Sequence, residues 1–279
     1  MNTKARSSNK SLDHLSFSQI NTFKNCPQKY KIIYIDKMNN NAESIEGFVG
    51  KVVHEVLEWI YLKKLDYYIW DHIERKYLEI WNDRRHNKIY LAEIKKKYSK
   101  DYFKRLGLEC TRNYYKNNGG PKIKHDNIIG TEVPIEITIG KYKFKGIIDR
   151  IDKDEEYISI HDYKTGKPKN KKEMLYDLQL IIYLLAIRKR FKKKNNIILN
   201  WHFLKEQSLI KQHIKIKHTN KNVEKLKDNI IKGAKSIELA IKKNDFPPNP
   251  NFLCHWCYYW ENCKEKKIYN EKNPAINIE

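Results

Sequence analysis

The sequence lacks any long apolar run, and this shortage excludes one class of protein. No stretch of 18 or more apolar residues occurs in the 279 residues, which argues against an ordinary membrane-spanning helix. The N-terminal stretch MNTKARSSNK continues into polar residues, so it does not predict a secretory signal. We therefore expect a cytoplasmic protein.

Glycine is missing where a phosphate loop would need it. The dipeptides at positions 140–141 and 166–167 are both Gly-Lys. The loop motif requires another glycine before each of them, and Ile135 and His161 stand at the required spacing instead. The chain therefore carries no evident ATPase motor.

Acidic residues are fewer than basic ones. The chain has 56 lysines and arginines against 34 aspartates and glutamates, which gives a formal net charge of +22. Such an excess indicates a polyanionic partner, and nucleic acid is the first candidate because each neutralised phosphate releases counterions. An anionic membrane surface is the second candidate. The lysines are spread along the chain, and a solvated surface also explains that spread.

The first part of the chain is predicted to be helical. Ser16 or Ser18 can cap a short helix that Pro27 closes, and apolar residues at helical spacing predict a second helix over residues 46–65. Residues 66–118 are predicted to form a helical insertion that ends at the break NNGGP. Its aromatic residues either guide a single nucleic-acid strand or pack in the core; they are Tyr67, Tyr68, Trp70, Tyr77 and Trp81.

Beyond this break the apolar pattern changes to a period of two. Three runs, over residues 127–140, 141–152 and 155–166, predict strands, and an apolar helix follows at 174–191. Two further strands, NIILNWHFL and IKIKHT, precede a long polar helix at about 222–243. We find no internal repeat. The pattern predicts one α/β domain over residues 1–279, with a mixed central sheet flanked by helices.

Two strand ends carry charged residues that could act together. In HDYKTGK, Asp162 and Lys164 lie two residues apart and so point to the same side of a strand. If this strand pairs with the preceding one, Asp149 and Asp162 approach each other at an edge of the sheet. Close carboxylates repel unless a cation lies between them, and oxygen ligands suit Mg²⁺ or Mn²⁺. Lys164 could then position a water or stabilise charge on a phosphate, although a structural Asp–Lys ion pair explains the motif equally well.

Three further polar residues extend this hypothesis. His54 lies on the second helix, and its imidazole is a candidate third metal ligand or simply a packed or solvated side chain. Gln179 and Tyr183 are spaced i and i+4, which puts two hydrogen-bonding groups on one stripe of an apolar helix. The alternative for this pair is a core tyrosine and an edge glutamine.

Cysteine usage indicates a metal site. Cys254, Cys257 and Cys263 are clustered near the end of the sequence, and Cys26 lies far upstream. Three clustered thiols and a distant one, without a secretory signal, favour metal ligation over a disulfide ladder. Zinc is chemically compatible with four thiolates, although zinc sites more often use two local pairs. Cys110 fits neither arrangement and is predicted to be a small buried hydrophobe.

The motif order resembles the RecB-like branch of the PD-(D/E)XK nucleases, which includes AddB-type nuclease domains and CRISPR-associated RecB-like exonucleases. The resemblance covers most of the chain and rests on the motifs GKVVH, GIIDRID, HDYKTGK and QLIIY. It implies a restriction-endonuclease-like fold. It also implies a catalytic Lys164, supporting Gln179 and Tyr183, and a metal held by His54, Asp149, Asp162 and the Tyr163 carbonyl. An acidic residue on the preceding strand would be Glu132, with Glu136 as a competitor.

The same resemblance implies a [4Fe-4S] cluster, in preference to zinc, on Cys26, Cys254, Cys257 and Cys263. The cluster would join the N-terminal segment to the cysteine segment at 245–270. The expected function is a Mg²⁺- or Mn²⁺-dependent DNA nuclease without a membrane partner. It would be an exonuclease acting on single strands or DNA ends in repair, recombination or CRISPR-type processing, with a helicase or CRISPR adaptation complex as partner. The alternatives are a catalytically inactive DNA-binding or scaffold subunit and an RNA-directed enzyme.

Overall fold

The computed structural model describes residues 12–38, 43–84, 89–92, 95, 97–191, 196–259 and 263–274. The polar N-terminal stretch at 1–10 lies outside the described residues. The helices are α1 (Phe17–Asn25), α2 (Pro27–Tyr30), α3 (Ile45–Lys63), α4 (Trp70–Asp83), α5 (Lys100–Asn117), α6 (Lys171–Met174), α7 (Leu178–Arg190), α8 (Leu209–Gln212), α9 (Asn220–Lys243) and α10 (Lys264–Lys272). The strands are β1 (Glu43–Ser44), β2 (Ile89–Tyr90), β3 (Ile128–Ile139), β4 (Tyr142–Lys153), β5 (Ile158–Lys164), β6 (Ile197–Phe203) and β7 (His213–Ile216).

The central sheet has the order β3-β4-β5-β6-β7. Strands β5 and β6 are parallel, and the other neighbours are antiparallel, so the predicted mixed sheet is confirmed. Because β4 and β5 are interior strands, the expectation that Asp149 and Asp162 lie at an edge of the sheet is wrong. They lie where these two strands end, between the edge strands β3 and β7.

Helices cover both faces of the sheet, and each layer has its own apolar core. One core joins α1, α7 and α9 to the strands, and Ile158 and Ile160 of β5 pack there. The other core consists of α3, α4 and α5 with Tyr163 and Leu204. Residues of β5 with odd and even numbers face opposite sides, so the strand contributes to both cores. Most of the predicted insertion at 66–118 therefore serves to bury the second face of the sheet.

The aromatic residues of this insertion belong mainly to the core. Tyr68, Tyr77 and Trp81 are each no more than 5% exposed, and Trp70 packs against the same core. A stacking platform for a nucleic-acid strand is therefore the wrong interpretation for these four, and only Tyr67 is largely exposed. Cys110 is buried among them, as predicted.

Helix boundaries follow local capping chemistry. The Ser16 side chain accepts from the Gln19 amide and starts α1. Pro27 does not close the first helical segment as predicted; it occupies the first turn of α2, where a missing N–H costs nothing. Asp177 caps the Gln179 and Leu180 amides, so α7 begins four residues later than the predicted start at 174.

Membrane insertion finds no structural basis in the part of the chain that the structure describes. None of its helices combines the length and the apolar character that crossing a bilayer requires.

Candidate active site

Three carboxylates lie in a row across neighbouring strands. The β3–β4 register pairs position 131 with 150 and position 133 with 148, which places Glu132 opposite Asp149. The β4–β5 register pairs position 150 with 161, which places Asp162 on the other side of Asp149. The short turn after β3 fixes the first register, and the turn at 154–157 fixes the second. Three acidic side chains from distant parts of the sequence are thus brought to one level of the sheet.

The strand ladder opens at this level. Regular pairing of β4 with β5 ends at Arg150 and His161. The next amide along β5, that of Tyr163, donates to Asp149 Oδ2 at 2.6 Å instead of continuing the ladder. The Asp149 carboxylate therefore replaces a backbone acceptor, and its second oxygen, Oδ1, is left for another ligand.

His54 approaches the row from α3, in the layer that covers the second face of the sheet. Its Nε2 lies 3.0 Å from the Tyr163 carbonyl oxygen, which can only accept, so Nε2 carries the proton. The other ring nitrogen, Nδ1, lies 3.5 Å from Asp149 Oδ1 and 3.9 Å from Glu132 Oε1. In the neutral ring Nδ1 presents a lone pair to the same point as the two carboxylates.

These groups form a compact ligand set. One atom each from His54, Glu132 and Asp149 lie within 4.8 Å of one another. Burial raises the pKa of Glu132 to about 7, and the Asp149 carboxylate adds to this increase, whereas His54 opposes it. Glu132 also has a left-handed φ of 46°, which is strained for a residue with a Cβ. The electrostatic repulsion and the strained backbone both favour a bound cation at this point.

Asp162 and Lys164 form the other half of the site. Lys164 Nζ lies 2.7 Å from Asp162 Oδ2 and donates to Gln179 Oε1 at 2.9 Å. Burial raises the pKa of Asp162 to about 7 although Lys164 lowers it, and nearby Asp149 adds to the increase. Burial alone would lower the pKa of Lys164, but the Asp162 carboxylate raises it above its ordinary value. The amine is therefore a held cation.

Helix α7 holds Lys164 through two polar residues. Gln179 accepts from Lys164, and its Nε2 donates to the Tyr183 hydroxyl at 3.0 Å. Tyr183 fits against β4 because Gly146 has no side chain; a Cβ there would lie 2.8 Å from the tyrosine ring. The i, i+4 pair on α7 thus fixes the position of the amine.

A buried network anchors Tyr163, whose peptide groups contact Asp149 and His54. Arg150 donates to the Tyr163 hydroxyl at 3.1 Å and to the Tyr114 hydroxyl at 2.6 Å. Tyr114 comes from α5, within the predicted insertion. Since Tyr163 is 4% exposed and held at both its side chain and its backbone, its carbonyl has little freedom to move.

Three histidines beside this network approach one another without forming a plausible metal site. Ligand atoms of His161, His202 and His213 lie within 4.8 Å of one another. The rings of His202 and His213, however, stack at 4.3 Å with an interplanar angle of 21°, so their lone pairs do not converge. Arg150 also places a cation 3.0 Å from His161 Nδ1, and His161 Nε2 faces Asp152 at 3.1 Å. These contacts identify a structural network that holds Arg150.

The four predicted cysteine ligands meet at a separate place. Cys26, Cys254, Cys257 and Cys263 line one cavity of about 240 Å³ between the N-terminal and C-terminal segments. Direct hydrogen bonds also join these segments, because the Asn249 and Asn251 side chains donate to the Asn25 carbonyl at 3.0 and 3.2 Å.

Among the residues singled out in the sequence, the structure brings His54, Asp149 and Tyr163 into direct contact, and it places Asp162 against Lys164. Gln179 and Tyr183 stand behind the amine.

Sequence reasoning gave Glu132 little weight beside Glu136. Glu136 is exposed and pairs with His14 and Lys145. The short turn at 140–141 contained the missing signal, because counting outward from it places Glu132 opposite Asp149.

The raised pKa values predict that metal affinity increases with pH. A divalent cation binds the carboxylate form, so binding below pH 7 must displace about one proton from each carboxyl group with a pKa near 7. We expect Mn²⁺ affinity to rise from about pH 6 to about pH 8 and then to level off. Calorimetry in buffers of different ionisation enthalpy measures both the affinity and the released protons. Glu132→Gln should weaken binding and remove one of these protons.

Glu136→Gln is the matched control, because it makes the same chemical change on the same strand at an exposed position. Its Mn²⁺ binding should equal that of the unchanged protein at both pH values. Equal proton release by Glu132→Gln and the unchanged protein would remove Glu132 from the ligand set.

Comparisons with solved structures show the fold. A crystal structure described as a "Putative exonuclease" from Eubacterium rectale aligns with a TM-score of 0.50 at 13% identity, covering 99% of this chain and 100% of that chain. A structure described as SSO0001 aligns with a TM-score of 0.38 at 16% identity, covering 93% and 90%, and we draw no argument from it. A search of curated proteins finds no match.

A comparison with protein families gives a match over nearly the whole chain. The pattern described as the PD-(D/E)XK nuclease superfamily matches residues 14–264. This range contains the three carboxylates, the lysine and the four cysteines. The chain belongs to the PD-(D/E)XK nuclease superfamily.

Proposed function

We propose that the protein is a metal-dependent DNA nuclease of the RecB-like branch, acting as an exonuclease on single strands or DNA ends. One observation carries this proposal: His54, Glu132 and Asp149 converge beside the Asp162–Lys164 pair. The order of the motifs along the chain supports the assignment to this branch.

The residues present fit one or two Mg²⁺ or Mn²⁺ ions. Carboxylate and carbonyl oxygens are the hard ligands that these ions prefer, and a neutral imidazole suits Mn²⁺. His54, Glu132 and Asp149 would hold the ion, with Asp162 and the Tyr163 carbonyl as further ligands. When bound, such an ion lowers the pKa of a coordinated water and stabilises negative charge on phosphate.

Lys164 and its supports perform the remaining tasks. The fixed ammonium can hold the attacking water or stabilise charge on the scissile phosphate, since it has a third N–H besides those directed to Asp162 and Gln179. Gln179 and Tyr183 keep the amine in place, and Tyr114 with Arg150 keeps the Tyr163 peptide in place. No covalent intermediate is required.

We further propose that Cys26, Cys254, Cys257 and Cys263 hold a [4Fe-4S] cluster that joins the two terminal segments. Within the described residues, no three of these sulfur atoms lie within 4.8 Å of one another. A zinc tetrahedron with bonds of about 2.3 Å would bring them closer than this. A cluster of four iron atoms separates its thiolates further, so the spacing favours iron–sulfur. Five free cysteines also fit a reducing compartment such as the cytoplasm.

A catalytically inactive scaffold is the second candidate. An inactive copy has no need of a held lysine and three aligned carboxylates, so the intact site favours the enzyme. A helicase or CRISPR adaptation partner has no support beyond the family resemblance.

Digestion of end-labelled DNA by anaerobically purified protein tests the proposal. We expect Mg²⁺ or Mn²⁺ to be required, EDTA to stop the reaction, and linear single strands or duplex ends to be degraded while a closed circle resists. Iron and sulfide analysis of the same sample tests the cluster. Absence of cleavage with every divalent ion, in protein that holds its iron, would favour the scaffold.

A further inference from the structure

A basic groove adjoins the candidate site on the β7 side of the sheet. The segment after Lys164 forms one wall, and α8 with β7 forms the other. Four lysines line this groove of about 630 Å³, and we call it the lysine groove: Lys169, Lys171, Lys211 and Lys215. Glu206 is the single acidic residue that lines it.

The groove is connected to the site through a rigid ridge. The ridge comprises residues 204–207, and it begins where the Leu204 amide donates to the Lys164 carbonyl at 2.9 Å. Asn113 of α5 donates to the Leu204 carbonyl at 3.1 Å, and Gln212 of α8 donates to the Glu206 carbonyl at 3.0 Å. Since the ridge is held from both sides, it keeps the groove at a fixed position relative to the catalytic lysine.

The four ammonium groups are free to bind anions. Within the described parts of the chain, none of them lies within 4 Å of a carboxylate, and all four side chains are exposed. A second basic groove, lined by Arg105, Arg112 and Lys116, lies beyond the ridge. There Arg112 is already paired with Glu74 at 3.6 Å and packs on Trp70. The lysine groove therefore has more free positive charge next to the site.

We infer that the lysine groove holds the phosphodiester backbone of the DNA strand whose scissile phosphate occupies the candidate site. The inference rests on the proposed function. Backbone phosphates match several unpaired ammonium groups in charge, and contacts of this kind position a strand without reading its sequence. Flanking phosphates bound here would orient the scissile phosphate towards Lys164.

The test is a fourfold variant that changes Lys169, Lys171, Lys211 and Lys215 to Gln. Fluorescence anisotropy in EDTA measures binding of a labelled oligothymidylate of about 20 nucleotides, and of a duplex of the same length, between roughly 50 and 300 mM KCl. The slope of log affinity against log salt should fall by about 0.7 for each lost contact to a single strand and by about 0.9 for each lost contact to a duplex. The arm with the larger loss identifies the strand state that the groove binds.

The matched control changes four exposed lysines on the convex surface of α9 to Gln, which removes the same net charge. These are Lys225, Lys232, Lys235 and Lys243. The control should keep most of the original slope. An equal loss of slope in both variants would reduce the groove to general surface charge and overturn the inference, as would an unchanged slope in the groove variant.

Hydrolysis of bis(p-nitrophenyl) phosphate with Mn²⁺ separates this inference from the proposed function. This small diester has no flanking phosphates, so the groove variant should hydrolyse it at the original rate while losing at least tenfold in kcat/KM on the long strand. Equal losses on both substrates would place the lysines in the chemical step and overturn the inference. If the unchanged protein hydrolyses neither substrate but the binding slope still falls, the nuclease proposal fails while the groove assignment stands.

Discussion

Asp162→Asn is expected to abolish DNA cleavage and to leave the protein folded and able to bind DNA. Asparagine keeps the shape of the side chain and an oxygen that can accept from Lys164, but it removes the charge. Losing several kcal/mol of transition-state stabilisation lowers the rate by roughly a thousandfold or more. DNA binding should be retained, or even strengthened, because a negative charge near the phosphate path is lost. Gel assays of cleavage and anisotropy of binding measure the two effects separately.

Lys164→Met should cause a similar loss through a different term. It removes the ammonium that contacts Asp162 and Gln179, so we expect a fall of about 10²- to 10⁴-fold in kcat. Mn²⁺ affinity should change much less than in Glu132→Gln. Lys153→Met, an exposed change at the far end of β4, is the control and should retain activity. Metal-dependent cleavage retained by both Asp162→Asn and Lys164→Met would refute the proposed site.

Cys257→Ser is expected to lose the iron chromophore and to lower the melting temperature of the protein. A link between Cys26 and Cys254 closes a loop of 228 residues by subtraction of their positions. The chain-entropy treatment of a covalent crosslink assigns about 5 kcal/mol to a loop of that length. For a chain of this size this stabilisation corresponds to roughly 8 °C in Tm. Calorimetry and iron analysis of the same preparation give the two measurements, and nuclease activity should fall with stability.

Cys110→Ala is the matched control for cysteine loss, since Cys110 is buried in the helical core away from the cavity. It should retain its full iron content. A Cys257→Ser protein without iron but with an unchanged melting temperature would contradict the stapling role.

The sheet was predictable because its signals are local. Strands β3, β4 and β5 were located within two or three residues by a period of two and by the turns between them. Pro27 and α7 were misjudged because their helix ends depend on capping geometry: Pro27 starts a new helix, and Asp177 caps two amides. The same sequence letters are compatible with either outcome until the backbone angles are known.

The site was only partly predictable because its contacts join distant elements. Motifs identified Asp149, Asp162 and Lys164, but the contact between His54 Nε2 and the Tyr163 carbonyl depends on how α3 crosses β5. The role of residues 66–118 could not be read from their composition. Tyr114 acquires its function only when α5 packs on the sheet and meets Arg150.

The opening of the ladder at Tyr163 has a consequence for the order in which the chain folds. The peptide that holds the ligand set receives His54 from 109 positions upstream and Asp149 from 14 positions upstream, and the ridge behind it begins at Leu204. Contacts of such long sequence separation form late. During synthesis, α3 and α5 leave the ribosome long before β5 and β6, so their apolar faces must wait for a partner. The newly made chain therefore acquires its nuclease site only after about three quarters of it has emerged.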